Sequence, residues 1–262
     1  MTSEEKQKDH LPPKTLLVPC RDLPLGASIQ WLKSGWVDLK KAPRISLVYG
    51  LVVFLLSILV ASLAWKLGGY VLLISTLSGF VFVAPMLAFG LYSVSRQLCE
   101  GREPRFRATF NAIKRPLSNS MIYTLVLLVL FLLWARAGMM VQVFFPLGGE
   151  PEWGHIATFL LIGSAVGSIF ACISFAASVF SLPMLANRDI DVITAVLSSI
   201  NATLRNKWPL LLWAFFICSL VFIGFLTAGV GLIIIIPWLA YATWHGYRDA
   251  LDVSEWSVLP RG

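Results

Sequence analysis

The chain has 262 residues, of which 57% are hydrophobic and 13% charged, and its formal net charge is +7 at pH 7. This charged share is about half of that in soluble domains, so a water-exposed globule is hard to build from the chain. Four scattered cysteines, without a Cys-x-x-Cys pair, remove the usual signals for zinc sites, thioredoxin chemistry and disulfide frameworks. The composition therefore predicts a protein whose main solvent is lipid.

Long charge-free intervals predict the membrane spans, because a helix needs about 20 apolar residues to cross about 30 Å of hydrocarbon. Five such intervals occur, and a Thr-Ala-Gly-Val-Gly breaker at residues 227–231 divides the last one into two spans. The sequence thus predicts an all-α membrane protein with six transmembrane helices. These predicted spans lie near residues 45–65, 70–95, 117–135, 156–186, 208–226 and 231–247.

The distribution of Lys and Arg predicts the orientation of these spans. Nineteen of the 21 basic residues fall in segments that lie in the cytoplasm if both chain ends are inside, and only Lys66 and Arg136 fall in outer loops. Because basic residues resist translocation, this asymmetry favours an N-in, C-in topology. The expected organisation is a transmembrane domain at 26–248, between polar cytoplasmic tails at 1–25 and 249–262.

A Pro-x-Leu-Ala tetrapeptide recurs near the predicted inner end of each even-numbered span. The recurrence favours an internal repeat, although Pro, Leu and Ala are common in membrane helices. Each proline is expected to kink its helix, which either opens a central crevice or improves packing. The tetrapeptides are Pro85-Met86-Leu87-Ala88, Pro183-Met184-Leu185-Ala186 and Pro237-Trp238-Leu239-Ala240.

Each odd-numbered span is preceded by a short segment with helical apolar spacing, then basic residues and a proline. Such segments are typical of helices that lie in the membrane interface. We interpret the chain as three hairpins, each preceded by a cytoplasmic interfacial amphipathic helix. The apolar positions of the three segments are Ile29, Leu32, Trp36 and Leu39; Phe106, Phe110 and Ile113; and Ile193, Val196, Ile200 and Leu204.

Titratable side chains are nearly absent from the predicted hydrocarbon region. None of the 14 Asp and Glu residues falls there, and His245 is the nearest titratable group. Ion-coupled carriers usually have carboxylates within the membrane, so this absence argues against them. The three histidines, His10, His155 and His245, cannot form a paired haem site, and no hydrolase or P-loop motif occurs. We therefore predict a non-enzymatic protein with no catalytic, cofactor-binding or metal-binding residues.

Two features at the membrane surface have competing interpretations. Trp244 and His245 are either an interfacial anchor, which we favour, or a contact for a cofactor or partner. Glu150, Glu152 and His155 are too few to define a metal site, so a solvated outer loop is favoured.

The fourth span and the loop before the third span also have two interpretations. Gly163, Gly167 and Ala171 have the small-residue spacing that lets membrane helices pack closely, either internally or against another protein. The basic loop between spans two and three fits nucleic acid formally, but contact with anionic lipids needs fewer assumptions.

Several short stretches resemble a family of integral membrane proteins of Gram-negative bacteria, catalogued as domain of unknown function 2189. The resemblance covers nearly everything after about residue 25. It implies a multi-pass protein of the bacterial inner membrane and transfers no catalytic residues. The stretches are Trp31-Leu32, Gly35-Trp36-Val37-Asp38-Leu39, Ala42-Pro43, Ser46-Leu47-Val48-Tyr49-Gly50, Gly90-Leu91-Tyr92, Arg96, Pro183-Met184-Leu185, Arg188-Asp189, Asp191, Thr194-Ala195-Val196 and Ala242-Thr243-Trp244-His245.

The function expected from the sequence is that of an accessory or scaffold subunit of a membrane complex. The alternative is a transporter or handler of a neutral or amphiphilic molecule such as a lipid, because transporter folds are often built from repeats. The expected partners are a bilayer with anionic lipids at its cytoplasmic face and other membrane proteins. No nucleic-acid partner and no cofactor are expected.

Overall fold

The computed structural model describes residues 17–67, 87–109, 117–144 and 153–259. Within these ranges the chain is helical and has no strand, which confirms the prediction of an all-α protein. The helices, numbered in chain order, are α1 Ala27–Lys41, α2 Pro43–Leu67, α3 residues 87–99, α4 Leu117–Phe144, α5 Trp153–Ser178, α6 Ser181–Asn187, α7 Val192–Arg205, α8 Lys207–Leu226 and α9 Leu232–Ala250.

Four stretches in the described ranges are long and apolar enough to cross a membrane. They coincide with the predicted first, third, fourth and fifth spans, which supports the use of charge-free length as a ruler. They are Pro43–Val60 in α2, Met121–Val141 in α4, Ala157–Asn187 in α5 and α6, and Lys207–Leu226 in α8.

The other two predicted spans are not among these four stretches. Most of the predicted span at 70–95 lies outside the described residues, and its last part belongs to α3. The predicted span at 231–247 is α9, whose first half is strongly apolar and whose second half carries polar and charged groups. Many residues of that second half are buried inside the protein, so α9 does not have the uniformly apolar surface of a helix that lipid surrounds.

The fourth predicted span is two helices rather than one. Helix α5 ends at Ser178, the buried residues Val179 and Phe180 form a turn, and α6 begins at Ser181. Pro183 explains the position of the interruption, since a proline removes the hydrogen bond to the carbonyl four residues earlier and its ring crowds that carbonyl. Pro237 differs, because α9 continues through it.

Helices α1 and α7 each leave some large apolar residues exposed and bury a face that contains small and polar residues. In α1 the buried residues include Trp31, Gly35 and Asp38, whereas Ile29 and Trp36 stay exposed. In α7 the buried residues are mostly small or polar: Val192, Thr194, Ala195, Ser198, Ser199 and Ala202. Small side chains let helices pack closely, while large apolar ones are free to face lipid, so this inverted pattern is typical of a membrane protein.

Helix α7 begins with a well-formed cap. The Asp191 carboxylate accepts a hydrogen bond of 2.8 Å from the backbone N–H of Thr194, one of the N–H groups that the first helical turn leaves unpaired. Partial burial raises the pKa of Asp191, but hydrogen bonds from Thr194 and neighbouring backbone groups outweigh it, so the net pKa is lowered.

Helix α9 is the central element of the described structure, and glycines let α1 and α2 approach it closely. A Cβ atom on Gly35 of α1 would lie 2.6 Å from the Ala242 nitrogen and 2.9 Å from the Trp238 carbonyl oxygen. A Cβ atom on Gly50 of α2 would lie even closer to the backbone of Ile233 in α9. These approaches require glycine, because the atoms on the other side belong to the backbone of α9.

Large aromatic side chains fill the space where α1, α8, α9 and the α5–α6 turn meet. Trp31 is fully buried and meets Trp213 of α8 edge-on, with ring centroids 5.7 Å apart. It also meets Phe180 edge-on at 6.3 Å, and the ring packs on Gly246 of α9. Edge-to-face pairs of this kind are favoured geometrically and add to the burial of apolar area.

The segments before α1 and after α9 are packed together rather than extended as free tails. The two segments are joined by backbone hydrogen bonds: the Arg21 N–H donates to the Ala250 carbonyl, and the Asp252 N–H donates to the Pro19 carbonyl. The side chains of Val18 and Trp256 are buried. The Arg21 guanidinium and Ser254 donate hydrogen bonds to the Asp252 carboxylate, which lowers the pKa of Asp252 to about 2. Both ends of the described chain therefore lie on the same side of the helices.

Candidate functional site

The three tetrapeptides contribute mainly to the core. Met184, Leu185 and Leu239 are buried in the main hydrophobic cluster, and Pro183 and Pro237 are buried as well. Leu87, Ala88, Ala186, Trp238 and Ala240 are partly buried, whereas Pro85 and Met86 lie outside the described residues. The tetrapeptides thus act as packing elements where the structure describes them.

Two of the three small residues of α5, Gly167 and Ala171, line a shallow apolar groove, whereas Gly163 does not. No described atom lies within 4 Å of a Cβ built on Gly163, and the nearest to one on Gly167 is the Trp134 Nε1, at 3.8 Å. The groove between α4 and α5 has a volume of about 500 Å³. Its lining residues are Leu127, Leu130, Phe131, Trp134, Gly167, Phe170, Ala171, Ser174 and Ser178.

Trp244 and His245 both make contacts inside the protein. Trp244 is buried and lies against Tyr92 of α3, with nearly parallel rings whose centroids are 6.3 Å apart. His245 is partly buried, and its Nε2 lies 2.9 Å from the Oδ2 of Asp38. Trp244 is thus less exposed than a residue that anchors the protein at the membrane interface, and His245 is paired with the Asp38 carboxylate.

Asp38 is the functional candidate that the sequence analysis missed. Only 5% of this residue is exposed, and its Oδ2 accepts a hydrogen bond of 2.8 Å from the Ser95 hydroxyl besides the contact with His245. We call Asp38, Ser95 and His245 the polar cluster; it joins α1, α3 and α9. Asp38 and Ser95 are buried and His245 is partly buried, and burial of such polar groups is costly unless they satisfy one another, as they do here.

One sequence signal could have located Asp38. Trp31, Gly35 and Asp38 recur at helical spacing and form one stripe of α1, beside the stripe of Ile29, Leu32, Trp36 and Leu39 that the sequence analysis chose. This second stripe was not singled out in the sequence analysis. Its glycine and tryptophan indicate a packed face, on which a carboxylate needs a partner.

A second pair of polar groups lies one helical turn from the polar cluster. The hydroxyls of Ser46 in α2 and Tyr241 in α9 are 2.8 Å apart, and Ser46 also donates to the Ala42 carbonyl. Tyr241 also belongs to the same buried cluster as Tyr49 of α2. The interior between α1, α2, α3 and α9 is therefore lined by hydroxyl groups next to the carboxylate.

The polar cluster does not have the geometry of a hydrolase triad. In such a triad the imidazole lies between the hydroxyl and the carboxylate and accepts the hydroxyl proton. Here Ser95 and His245 both contact the same Asp38 oxygen, so the carboxylate is in the middle. The arrangement can hold three helices together.

A second contact fixes α1 to α9 at the other end of α1. The Trp31 indole N–H donates to the Asp249 carboxylate over 2.8 Å, and the Ser28 hydroxyl donates to the Pro209 carbonyl of α8. Both ends of α1 are thus attached by a carboxylate, but only Asp38 is paired with a histidine.

Other potential ligand groups are dispersed. In the part of the chain that the structure describes, no three His, Cys, Asp or Glu side chains are grouped so that they could hold a metal ion. Glu150 and Glu152 lie outside that part, so the predicted outer loop stays untested.

Comparison with protein families finds a match over the middle of the chain. Residues 70–187 match the model of a family described as a predicted integral membrane protein, DUF2189. The resemblance seen in the sequence is therefore confirmed. No curated protein and no solved structure matches the chain. The DUF2189 match includes Ser95 and the α4–α5 groove, whereas Asp38 and His245 lie outside it.

Proposed function

We propose that this integral membrane protein is a non-enzymatic accessory or scaffold subunit of a complex in the bacterial inner membrane. The observation that carries the proposal is the surface of α4 and α5, where the described residues leave a groove with small residues uncovered. Most of α5 is exposed or only partly buried in the described structure, whereas α6 is buried in the core. Small residues in such a position favour close helix contacts in lipid.

The transporter alternative has weaker support. A carrier needs a central space that a substrate can enter. Where α1, α8 and α9 meet, Trp31 fills the described interior and makes edge-on contacts with Trp213 and with Phe180. A filled centre between these helices suits a rigid support better than an alternating-access carrier.

The partner contact is tested by photo-cross-linking in native membranes. A photo-reactive phenylalanine analogue at Gly167 or Ala171 is expected to give one cross-linked product of defined mass, identified by mass spectrometry. The same analogue at Phe222, an exposed residue of α8, serves as the lipid-facing control. Equal labelling at both sites, or a lone monomer in mild detergent across several lipids, would contradict the scaffold proposal.

We also propose six spans arranged as three hairpins, with both chain ends in the cytoplasm. The contact between the segments before α1 and after α9 supports an even number of crossings. Helix α9 follows α8 through the five-residue turn 227–231, and the two helices contact each other and have similar lengths. An antiparallel pair of this kind supports a sixth span.

The junctions at the ends of α1 and α7 support the internal repeat. A single residue separates α1 from α2, and another separates α7 from α8; their backbone angles are φ −127°, ψ 52° at Ala42 and φ −109°, ψ 41° at Asn206. Each residue also donates its N–H to the carbonyl four positions earlier and accepts from the N–H four positions later. The same local geometry at both sites is expected if the two units share a common design.

Lys–Trp pairs beside both junctions support contact with anionic lipids on the cytoplasmic face. The ammonium of Lys40 lies 5.6 Å from the ring centre of Trp36, and that of Lys207 lies 6.0 Å from the ring centre of Trp208. Tryptophan and basic residues are typical anchors at the headgroup level.

The topology is tested by reporter fusions that report the side of the membrane. Alkaline phosphatase is expected to be active after Gly148 and after Gly229, and inactive after Gly101, Arg188 and Asp252. The Gly229 and Asp252 fusions decide the sixth span, because they flank α9. Equal activity at these two sites would show that α9 does not cross the membrane.

A further inference from the structure

We propose that the elbow between α1 and α2 binds one phospholipid whose anionic headgroup carries two phosphate groups. We call Lys33, Lys40, Lys41 and Arg44 the basic elbow; all four residues are exposed. Such a site is narrower than general contact with anionic lipids, because it selects one lipid class. It rests on the proposed topology with both chain ends in the cytoplasm, which puts the basic elbow at the headgroups of the inner leaflet.

The basic elbow has positive charge that the described protein does not neutralise. Asp38 is the only acidic residue between positions 27 and 67, and it is 5% exposed and already paired with Ser95 and His245. Within the described residues, no Asp or Glu forms an ion pair with any of the four cations. Basic residues at a membrane surface attract anionic lipids, so a lipid headgroup is the counterion that the surroundings supply.

The backbone keeps three of these charges close together. Ala42 alone separates α1 from α2; its N–H donates to the Asp38 carbonyl and its carbonyl accepts from the Ser46 N–H. Neighbouring Cα atoms are about 3.8 Å apart, so those of Lys41 and Arg44 lie within about 11 Å of each other. Three cations within positions 40–44 can reach both phosphates of one headgroup, whereas a single phosphate leaves part of their charge uncompensated.

Apolar surface beside the basic elbow provides a place for the acyl chains of the lipid. The Lys40 ammonium lies 5.6 Å from the ring centre of Trp36, and tryptophan is a typical residue at the headgroup level. In α2, exposed apolar residues follow Arg44 at helical spacing and share its face of the helix. A soluble anion cannot use this face, so the occupant is a lipid. The apolar residues are Val48, Leu51 and Leu55.

The elbow between α7 and α8 provides a matched comparison, because its backbone geometry is similar and its charge is lower. The Arg205 guanidinium there lies 3.2 Å from the Asp22 carboxylate. Lys207 is then the one basic residue of this second elbow without a carboxylate partner among the described residues. The two elbows therefore separate the effect of charge from the effect of backbone shape.

The test is native mass spectrometry of the full-length protein in a neutral detergent, with cardiolipin as the two-phosphate probe and phosphatidylglycerol as the one-phosphate probe. The wild type is expected to bind one cardiolipin about fivefold more tightly than phosphatidylglycerol, the factor for one additional charge contact at a membrane surface. Lys40→Gln, Lys41→Gln and Arg44→Gln combined should weaken cardiolipin binding about a hundredfold, since each removed charge contributes a similar factor. Lys207→Gln should leave the affinity unchanged.

Two controls separate lipid binding from folding and from simple anion binding. The three substituted side chains are exposed, so the lipid-free triple variant should unfold at the same detergent midpoint as the wild type. Arginine in place of Lys40 and Lys41 should preserve the affinity. Pyrophosphate, which has two phosphates and no acyl chain, should not displace bound cardiolipin.

Three results would each overturn the proposal. They are equal affinity for the two lipids, equal weakening by the triple variant and by Lys207→Gln, and displacement of cardiolipin by pyrophosphate. Binding in detergent depends neither on the side of the membrane nor on a partner protein. Failure here therefore leaves the scaffold and topology proposals intact, and the cross-linking and reporter fusions test those separately.

Discussion

Replacing Gly50 with alanine is expected to destabilise the protein by about 3 kcal/mol, the upper part of the usual range for overpacking a close contact. The added methyl group would collide with the backbone of Ile233 in α9. Backbone atoms cannot rotate away from a collision as the end of a side chain can. Relief requires a shift of α2 away from α9. The change is measured as a lower midpoint of unfolding in a denaturing detergent titration, followed by far-UV circular dichroism.

Gly138→Ala is the matched control for this prediction. Gly138 is also inside a helix, α4, but no described atom lies within 4 Å of its added methyl group. Alanine is the better helix former, so this variant should be neutral or up to about 1 kcal/mol more stable. If Gly50→Ala is as stable as Gly138→Ala, the close packing of α2 on α9 is wrong.

Replacing Trp31 with alanine is expected to cost about 3–5 kcal/mol, as is usual when a fully buried aromatic ring is removed from a packed core. The variant loses the edge-on contacts with Trp213 and Phe180 and the hydrogen bond to Asp249. The cavity would lie where three helices meet, so collapse of one wall cannot fill it. The same detergent titration measures the loss.

Trp36→Ala provides the comparison within the same helix. Trp36 is 37% exposed, and its ring packs against that of Trp238 at a tilt of 59°, with a centroid distance of 4.9 Å. Losing one aromatic pair of this kind should cost about 1 kcal/mol. Equal losses for the two tryptophans would mean that α1 is not oriented with Trp31 inward.

The sequence was sufficient to locate four of the spans, because the length of an apolar interval is a local property. The charge-free intervals in α2, α4 and α8 needed no knowledge of neighbours. Helix α9 shows the limit of this ruler. The polar groups of its second half can lie within the protein because other helices pack around them, and composition alone does not reveal that packing.

The candidate site could not be derived in the same way. Asp38 and His245 are 207 positions apart, and neither residue type predicts a partner at that distance. The apolar stripe of α1 gave no indication of these contacts, since Ile29 and Trp36 are exposed while Gly35 lies close to the backbone of α9. Gly35 and Gly50 were not predicted as packing positions, because they are not part of a recognised spacing motif. Gly163 and Gly167 were predicted as packing positions because their spacing matches one.

The attachment of α1 to α9 also determines the order in which the protein can be completed during synthesis. Trp31 and Asp249 are 218 positions apart, so nearly the whole chain must leave the ribosome before α1 finds its final neighbour. Until then the carboxylate of Asp38 has no imidazole beside it, which favours a waiting position of α1 at the water-exposed surface. Docking of this first helix is therefore the last step of assembly. A chain that ends before α9 would keep α1 undocked and present it to the quality-control proteases of the cell.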